Sequence, residues 1–254
     1  MNAATALQEA VLVTGASRGI GRAVAQRLMA DGFDVVNFDI VAPEPDNADS
    51  ANRVNSARET YVQVDVSDEA ALREALARAV AERPITRLVN NAGIVRPAGI
   101  ETATAADLQA VMAVNLASNI ACVQAVLPAM RAARFGRIVN ISSRAALGKG
   151  QRIAYAASKA AVHGLTRTLA LELGADGITV NAIGPGPIAT DLFTRANPPL
   201  APATQRILDT IPLRRMGQPD EVAHLVASLL DARAGFTTGQ VLYVCGGMTV
   251  GLAP

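Results

Sequence analysis

Apolar residues along this chain follow two alternating rhythms. Short, nearly continuous apolar runs occur at VLVTG (11–15), FDVVNFD (33–39), TYVQVDV (60–66), RLVNNAG (87–93), GRIVNIS (136–142), ITVNAIG (178–184) and QVLYVCG (240–246). Each is too short for a typical helix and lacks the strict alternation of a strand with one wet face, so each predicts a strand covered on both sides. Between the runs the apolar spacing changes to three and four. Ile20, Val24 and Leu28 make one such stripe, and Leu72, Ala75, Leu76, Ala79 and Val80 make another behind Ser67, the expected N-cap. Pro219, Asp220 and Glu221 predict the start of a later helix with Val222, Leu225, Val226 and Leu229 on its apolar face.

Strands alternating with helices, joined by right-handed crossovers, predict an α/β fold: a doubly wound, seven-stranded parallel sheet with helices on both faces, Rossmann-like, with its ligand crevice at the carboxyl ends of the strands. The 254 residues, half of them apolar, suit a single domain over 1–254 with a sizeable core. Two segments break the rhythm. Residues 41–58 read as a polar loop replacing much of a helix, and the Pro-rich 185–216 reads as a lid or binding loop beside the crevice.

Charge and cysteine content then narrow the function. With 23 basic and 22 acidic residues and no charged run, the chain shows no nucleic-acid footprint and no patch for an anionic membrane. The N-terminus has no basic region leading an apolar stretch, and no uninterrupted apolar run approaches the roughly 18 residues that span a bilayer, so a cytoplasmic protein is expected. Cys122 and Cys245 stand far apart with no metal-ligand spacing, and only two His are present, so no disulfide framework and no metal site is expected.

The first run leads into TGASRGIG (14–21), with Gly15, Gly19 and Gly21 where a helix begins.

 Without Cβ atoms at residues 15, 19 and 21 the backbone turns tightly and approaches a pyrophosphate, which the free N–H groups of a helix N-terminus favour. Asp39 closes the second run about 20 residues on, where a carboxylate accepts from adenosine ribose hydroxyls and repels a 2′-phosphate. Arg18 argues the other way, since a guanidinium pairs with that phosphate, but residue 40 is Ile and not a second base. NAD is therefore expected over NADP. Asp65 is placed to meet the adenine amino group, or else simply to cap its turn, with Val66 packing on the ring. Asn90, Asn91, Ala92 and Gly93 end the fourth run with two amides suited to tying strands together.

Tyr155 and Lys159 are four apart, on one face of a helix. A phenol titrates near 10, and an adjacent ammonium favours its phenolate, so the pair reads as a proton-transfer device. Asn115 shares an apolar face with Leu108, Val111 and Met112 behind a capping box of Thr104 and Asp107. A buried amide there needs partners, from a functional network or from the helix backbone.

These motifs in order, TGASRGIG, Asp65-Val66, NNAG (90–93), Asn115, the serines 142–143, YAASK (155–159) and PGPIAT (185–190), cover essentially the whole chain. Together they resemble the short-chain dehydrogenase/reductase family in its single-domain form, similar to 3-oxoacyl-carrier-protein reductases and related alcohol dehydrogenases. The resemblance implies an NAD(P)-dependent oxidoreductase that interconverts a secondary alcohol and a ketone. It implies a catalytic set of Asn115, Ser143, Tyr155 and Lys159, with Asn115 ordering a proton-relay water. Cofactor contacts would come from Gly15, Ser17, Arg18, Gly19, Ile20, Gly21, Asp39, Asp65, Val66, Asn91, Ala92, Gly93, Tyr155, Lys159, Pro185, Gly186, Ile188 and Thr190. Gly184 stands where related sequences often have Ala. The resemblance also implies a homotetramer with contacts from 104–133, 155–174 and the C-terminal strand.

Which serine acts is a question of register. Counted back from Tyr155, Ser142 has the common family separation of 13; counted along the strand, Ser143 presents its hydroxyl at the crevice. A loop tolerates a one-residue deletion better than a strand tolerates a slip that turns every side chain over, so Ser143 is expected. His163 reads as helix packing or a subunit contact. Arg96, Arg144 and Arg152 lie in loops near the crevice mouth, where they meet an anionic substrate group or else are solvated or paired across subunits. Leu192 and Phe193 open the long excursion as an apolar lid or as ordinary loop packing. A catalytically idle nucleotide sensor would need the glycine turn but not the Tyr, Lys, Ser and Asn set. A nucleotide-sugar epimerase would need a second domain's worth of chain.

Overall fold

A computed structural model of the chain describes residues 10–43, 57–198 and 201–250. Most of the polar loop expected over 41–58 lies outside the described residues. The elements used below are β1 (Ala10–Thr14), α1 (Gly19–Ala30), β2 (Asp34–Asp39), β3 (Glu59–Gln63), α2 (Glu69–Glu82), β4 (Ile85–Asn90), α3 (Ala105–Met112) and α4 (Ser118–Ala133). They continue with β5 (Gly136–Ile141), α5 (Ile153–Leu173), β6 (Ile178–Pro185), α6 (Asp191–Ala196), α7 (Pro202–Asp209), α8 (Pro219–Leu230) and β7 (Val241–Val244).

The seven strands form one sheet in the order β3-β2-β1-β4-β5-β6-β7, and every neighbouring pair is parallel. The five inner strands are buried on both faces because two separate cores flank them, whereas the edge strands β3 and β7 are only partly buried, contrary to the expectation that every run is covered on both sides. Leu12, Leu88, Ile138 and Val180 pack with Leu72, Leu76, Val126 and Met130 on one side. Val11, Val13, Val89, Val139 and Ile183 pack with Val24, Leu28, Val222 and Val226 on the other. Successive strand residues point to opposite faces, so both halves of each inner apolar run are consumed.

Chain order moves outward from β1 to β3, then returns to place β4 beside β1 and runs the other way. The β1/β4 junction is therefore the switch point, and the crevice opens outside the carboxyl ends of those strands.

Three local details differ from the sequence reading. The N-cap of α2 is Asp68, whose carboxylate accepts from the Ala71 N–H at 3.0 Å, while Ser67 instead donates to Asp65. β3 ends at Gln63, so Asp65 and Val66 lie just beyond it. The helical run Ala105–Ala133 is, by length and composition, long and apolar enough to cross a membrane. Half of its apolar window is buried in the protein, and Cys122, Val126 and Met130 face the core, which explains why this helix is so apolar.

Candidate active site

The glycine turn is locked to the end of β4. Thr14 Oγ1 accepts from the backbone N–H groups of Asn91 and Ala92, both at 3.0 Å, and Asn91 Nδ2 donates to the Thr14 and Gly15 carbonyls at 3.0 and 2.9 Å. A Cβ on Gly15 would stand 3.0 Å from the Ala92 Cα, and one on Gly21 would overlap the Gly15 carbonyl. Gly19 has a φ of 57°, and a Cβ there would touch Thr190 Cγ2 at 3.4 Å, which brings the PGPIAT segment against the turn. The turn thus offers bare backbone and the first N–H groups of α1, a cradle suited to a pyrophosphate.

Asp39 is buried at the end of β2, with Oδ2 accepting from the Ser17 N–H at 3.0 Å and Oδ1 from the Val41 N–H at 3.3 Å. Asn37 extends the link by donating to Ser17 Oγ at 3.1 Å and to Glu59 at 2.9 Å. Arg18 is exposed as the N-cap of α1. Asp65 accepts from the Ser67 N–H at 2.8 Å, which is the turn-capping role, and Val66 is buried beside it. Asn90 donates to Asn140 at 2.8 Å and Asn140 to Thr166 at 3.0 Å, tying β4, β5 and α5 together as its amide suggests.

Farther along the crevice, the helix between α3 and α4 widens into a π-turn at Ala113–Ala117. Asn115 is fully buried there: its Oδ1 accepts from the Ile94 N–H at 2.9 Å, and its Nδ2 donates to the Ile94 carbonyl at 3.1 Å and to Ser158 Oγ at 2.9 Å. Of its expected apolar companions Val111 is buried but Leu108 is exposed, because the wide turn rotates Asn115 relative to α3. The place where a Gly93 Cβ would stand is 3.4 Å from both Asn115 Oδ1 and Lys159 Nζ, so these two side chains meet at the end of β4.

Tyr155 and Lys159 share the inner face of α5. Lys159 Nζ lies 5.8 Å from the Tyr155 ring centroid and donates to the Ile141 carbonyl at 2.8 Å. Burial pushes the Lys159 pKa down to about 8. Burial also raises Tyr155 above its usual value, against a lowering by hydrogen bonding to Ser143 and by the Arg152 charge. The sequence expectation that Lys159 lowers the tyrosine is therefore not met: desolvation outweighs the lowering, which comes from Ser143 and Arg152.

The two serines lie in different surroundings. Ser143 is partly exposed beside Tyr155, and its Oγ accepts from the Ala145 N–H at 3.1 Å. Ser142 is buried and turned away, 2.9 Å from the Lys159 carbonyl and 2.8 Å from His163 Nε2. Ser158, the Ile94 backbone and the Ile141 carbonyl complete this network; the sequence carries no signal for the two backbone groups, since they are brought in by the fold alone.

On the downstream side, the Gly186 N–H donates to the Val244 carbonyl at 2.9 Å, holding the segment after β6 to β7, and Ile188 bridges to Gly217. Thr190 caps α6, accepting from the Phe193 N–H at 3.3 Å. At the mouth, Arg152 leads into α5, while Arg96 is paired with Asp107 at 3.2 Å.

A family described as Enoyl-(Acyl carrier protein) reductase matches residues 15–249. The chain belongs to the short-chain dehydrogenase/reductase family. It is 39% identical over 254 residues to a 3-oxoacyl-acyl-carrier-protein reductase of Synechocystis, covering 98% of this chain and all of that protein. A solved variant of a Serratia marcescens short-chain dehydrogenase/reductase is 32% identical with a TM-score of 0.84, covering 96% of this chain and 99% of that one. A blue fluorescent protein from a metagenomic library, solved in complex with NADPH, is 34% identical with a TM-score of 0.84, covering 95% of this chain and 98% of its own. As a short-chain dehydrogenase/reductase the chain is an oxidoreductase of the nicotinamide-dependent kind, and the crevice above is where its motifs converge.

Proposed function

We propose that the chain is one catalytic and cofactor-binding domain that interconverts a secondary alcohol and a ketone, or a related carbonyl, by hydride transfer. The meeting of Ser143, Tyr155, Lys159 and Asn115 at one end of the crevice carries this reading. The cradle suits a dinucleotide: the glycine turn for its pyrophosphate, Asp39 for its ribose, Asp65 and Val66 at its adenine, and Asn91 to Gly93 along its length. Pro185, Gly186, Ile188 and Thr190 would hold its carboxamide end. The nicotinamide, when bound, supplies or takes the hydride.

In reduction, Ser143 donates to the substrate oxygen and Tyr155 transfers its proton to it. Ser143 and Arg152 both favour the phenolate that results. Lys159 has three N–H donors, of which one meets the Ile141 carbonyl, leaving two for the cofactor ribose and for returning a proton to Tyr155 through the Asn115 side.

NAD is favoured because a carboxylate at Asp39, buried at the end of β2, would repel a 2′-phosphate on the adenosine ribose. The NADPH in the metagenomic relative weighs the other way, and the exposed Arg18 is the residue here that would serve it.

The substrate is read as anionic. Arg144 and Arg152 flank the serine–tyrosine loop together with Lys149, whose pKa is lowered by burial and by both arginines. Arg96 is taken up by Asp107 and plays a smaller part. The likeness to a 3-oxoacyl-acyl-carrier-protein reductase favours a β-keto thioester on a phosphate-bearing carrier as a second, narrower reading. A cytoplasmic homotetramer, with Leu108 and Ile120 exposed along the 104–133 helices, completes the proposal.

Absorbance at 340 nm across a panel of neutral ketones, keto acids and β-keto thioesters tests it. Turnover lost in Tyr155→Phe supports the mechanism, and turnover unchanged in that variant overturns it. Equal efficiency on neutral and anionic ketones of one size, unaltered by Arg144→Ala, removes the anionic reading alone.

A further inference from the structure

Three consecutive residues at the end of β5 each engage α5. The Ile141 carbonyl receives Lys159 Nζ, Ser142 Oγ meets the Lys159 carbonyl, and Ser143 faces Tyr155. Ser142 also touches His163, and a single proton decides the direction of that contact. The Lys159 carbonyl only accepts, so the Ser142 hydroxyl donates to it, and the imidazole must then donate to Ser142. His163 therefore carries a proton on Nε2. Burial and the Arg167 charge hold its pKa below the usual value, so near neutral pH this is its one proton.

The imidazole is backed by Tyr243, whose ring meets it edge-on with centroids 6.4 Å apart and planes at 80°. That ring fills the space where a Cβ on residue 184 would stand, 2.6 Å away, and the same point is 3.6 Å from the Ser143 carbonyl carbon. Glycine at 184 thus lets Tyr243 press against both the imidazole and the back of the catalytic strand end.

We propose that His163 is a positioning residue of the proton-transfer site: its Nε2–H anchors Ser142, and through Ser142 it holds Ser143 and the Ile141 carbonyl in register with Tyr155 and Lys159. The proposal rests on the reading of the site given above. Hydrogen bonds in a buried chain of this kind strengthen one another, and small misplacements of reacting groups are costly to rate.

Gln at this position reaches with an amide N–H to about the place of Nε2, whereas Leu fills the volume without a donor. His163→Leu is expected to lower kcat at least about tenfold with little change in KM, and His163→Gln to recover most of it. Ser142→Ala should lose as much, and combining it with His163→Leu should add nothing, because both remove one connection. Equal kcat in the Leu and Gln variants, or losses that multiply, overturn the proposal. Should the Leu variant not fold, the Gln and Ser142→Ala variants carry the comparison.

Imidazole nitrogen NMR gives a readout independent of turnover, and only two histidines need assigning. A neutral Nε2–H tautomer for His163 is expected; an Nδ1–H tautomer overturns the proposal. If Tyr155→Phe retains full turnover, or the wild type reduces no ketone in the panel, the site reading has failed and this inference with it. If Tyr155→Phe loses turnover while His163→Leu is normal, the inference alone has failed.

Discussion

Lys159 Nζ points at the Ile141 carbonyl, 2.8 Å away, and not at the Tyr155 hydroxyl. The carbonyl belongs to the residue directly ahead of the serine pair, so the lysine is held by the end of β5. Its burial explains why its pKa falls to about 8.

This lowered value has a consequence for stability. An unfolded lysine titrates near 10.4, so between about pH 8 and 10.4 the unfolded chain binds the extra proton and the folded state gains stability as pH rises. Above about pH 10 the raised Tyr155 acts in the opposite sense, because the unfolded phenol ionises first. Denaturant unfolding of the ligand-free protein should show wild type gaining stability relative to Lys159→Met across the lower window. Parallel pH curves for the two proteins would contradict the burial argument.

Arg152 lowers the Tyr155 pKa through its charge. Alcohol oxidation needs the phenolate, so its rate should climb with pH, and Arg152→Gln should move that climb to higher pH. The check is kcat/KM against pH for both proteins; a shift toward lower pH would refute the assigned sign.

Asp39→Asn keeps an acceptor for the Ser17 N–H and removes only the charge. The ratio of NADPH to NADH efficiency should rise about tenfold or more, since one charge–charge repulsion near a surface is worth about 1.4 kcal/mol or more. An unchanged ratio would show that Asp39 does not face the 2′ position.

Gly184→Ala would drive a Cβ to 2.6 Å from two Tyr243 ring carbons. Overpacking of this kind costs about 1–3 kcal/mol, and Tyr243→Leu should relieve much of it. Chemical denaturation of the two single variants and the double variant measures this coupling; additive losses would show that the ring does not fill that space.

Much of this arrangement is legible in the chain. The seven apolar runs become the seven strands, with β1, β3 and β4 displaced by a few residues from the quoted stretches, because burial on both faces of the five inner strands leaves a composition that local reading detects. The glycine turn is legible for a similar reason: Gly15, Gly19 and Gly21 answer backbone demands that no other residue meets as cheaply. The four-residue step from Tyr155 to Lys159 places both on one helix face by geometry alone.

Other features depend on which segments meet. The π-turn that aims Asn115 at Ile94 and Ser158 leaves no periodic mark, and the run that contains it resembles a membrane-spanning helix until the sheet is seen beneath it. His163 carries no local sign of its tie to Ser142. The direction of the Tyr155 shift was also hidden, because spacing reveals a neighbouring charge but not how much water burial removes. Residue spacing along the chain determined the strands, most of the helices, the glycine turn and the placing of Tyr155 and Lys159 on one helix face. Tertiary packing decided the direction of the Lys159 and Tyr155 pKa shifts and which serine is buried against His163, because desolvation and hydrogen-bond partners are set by chain segments far apart in sequence.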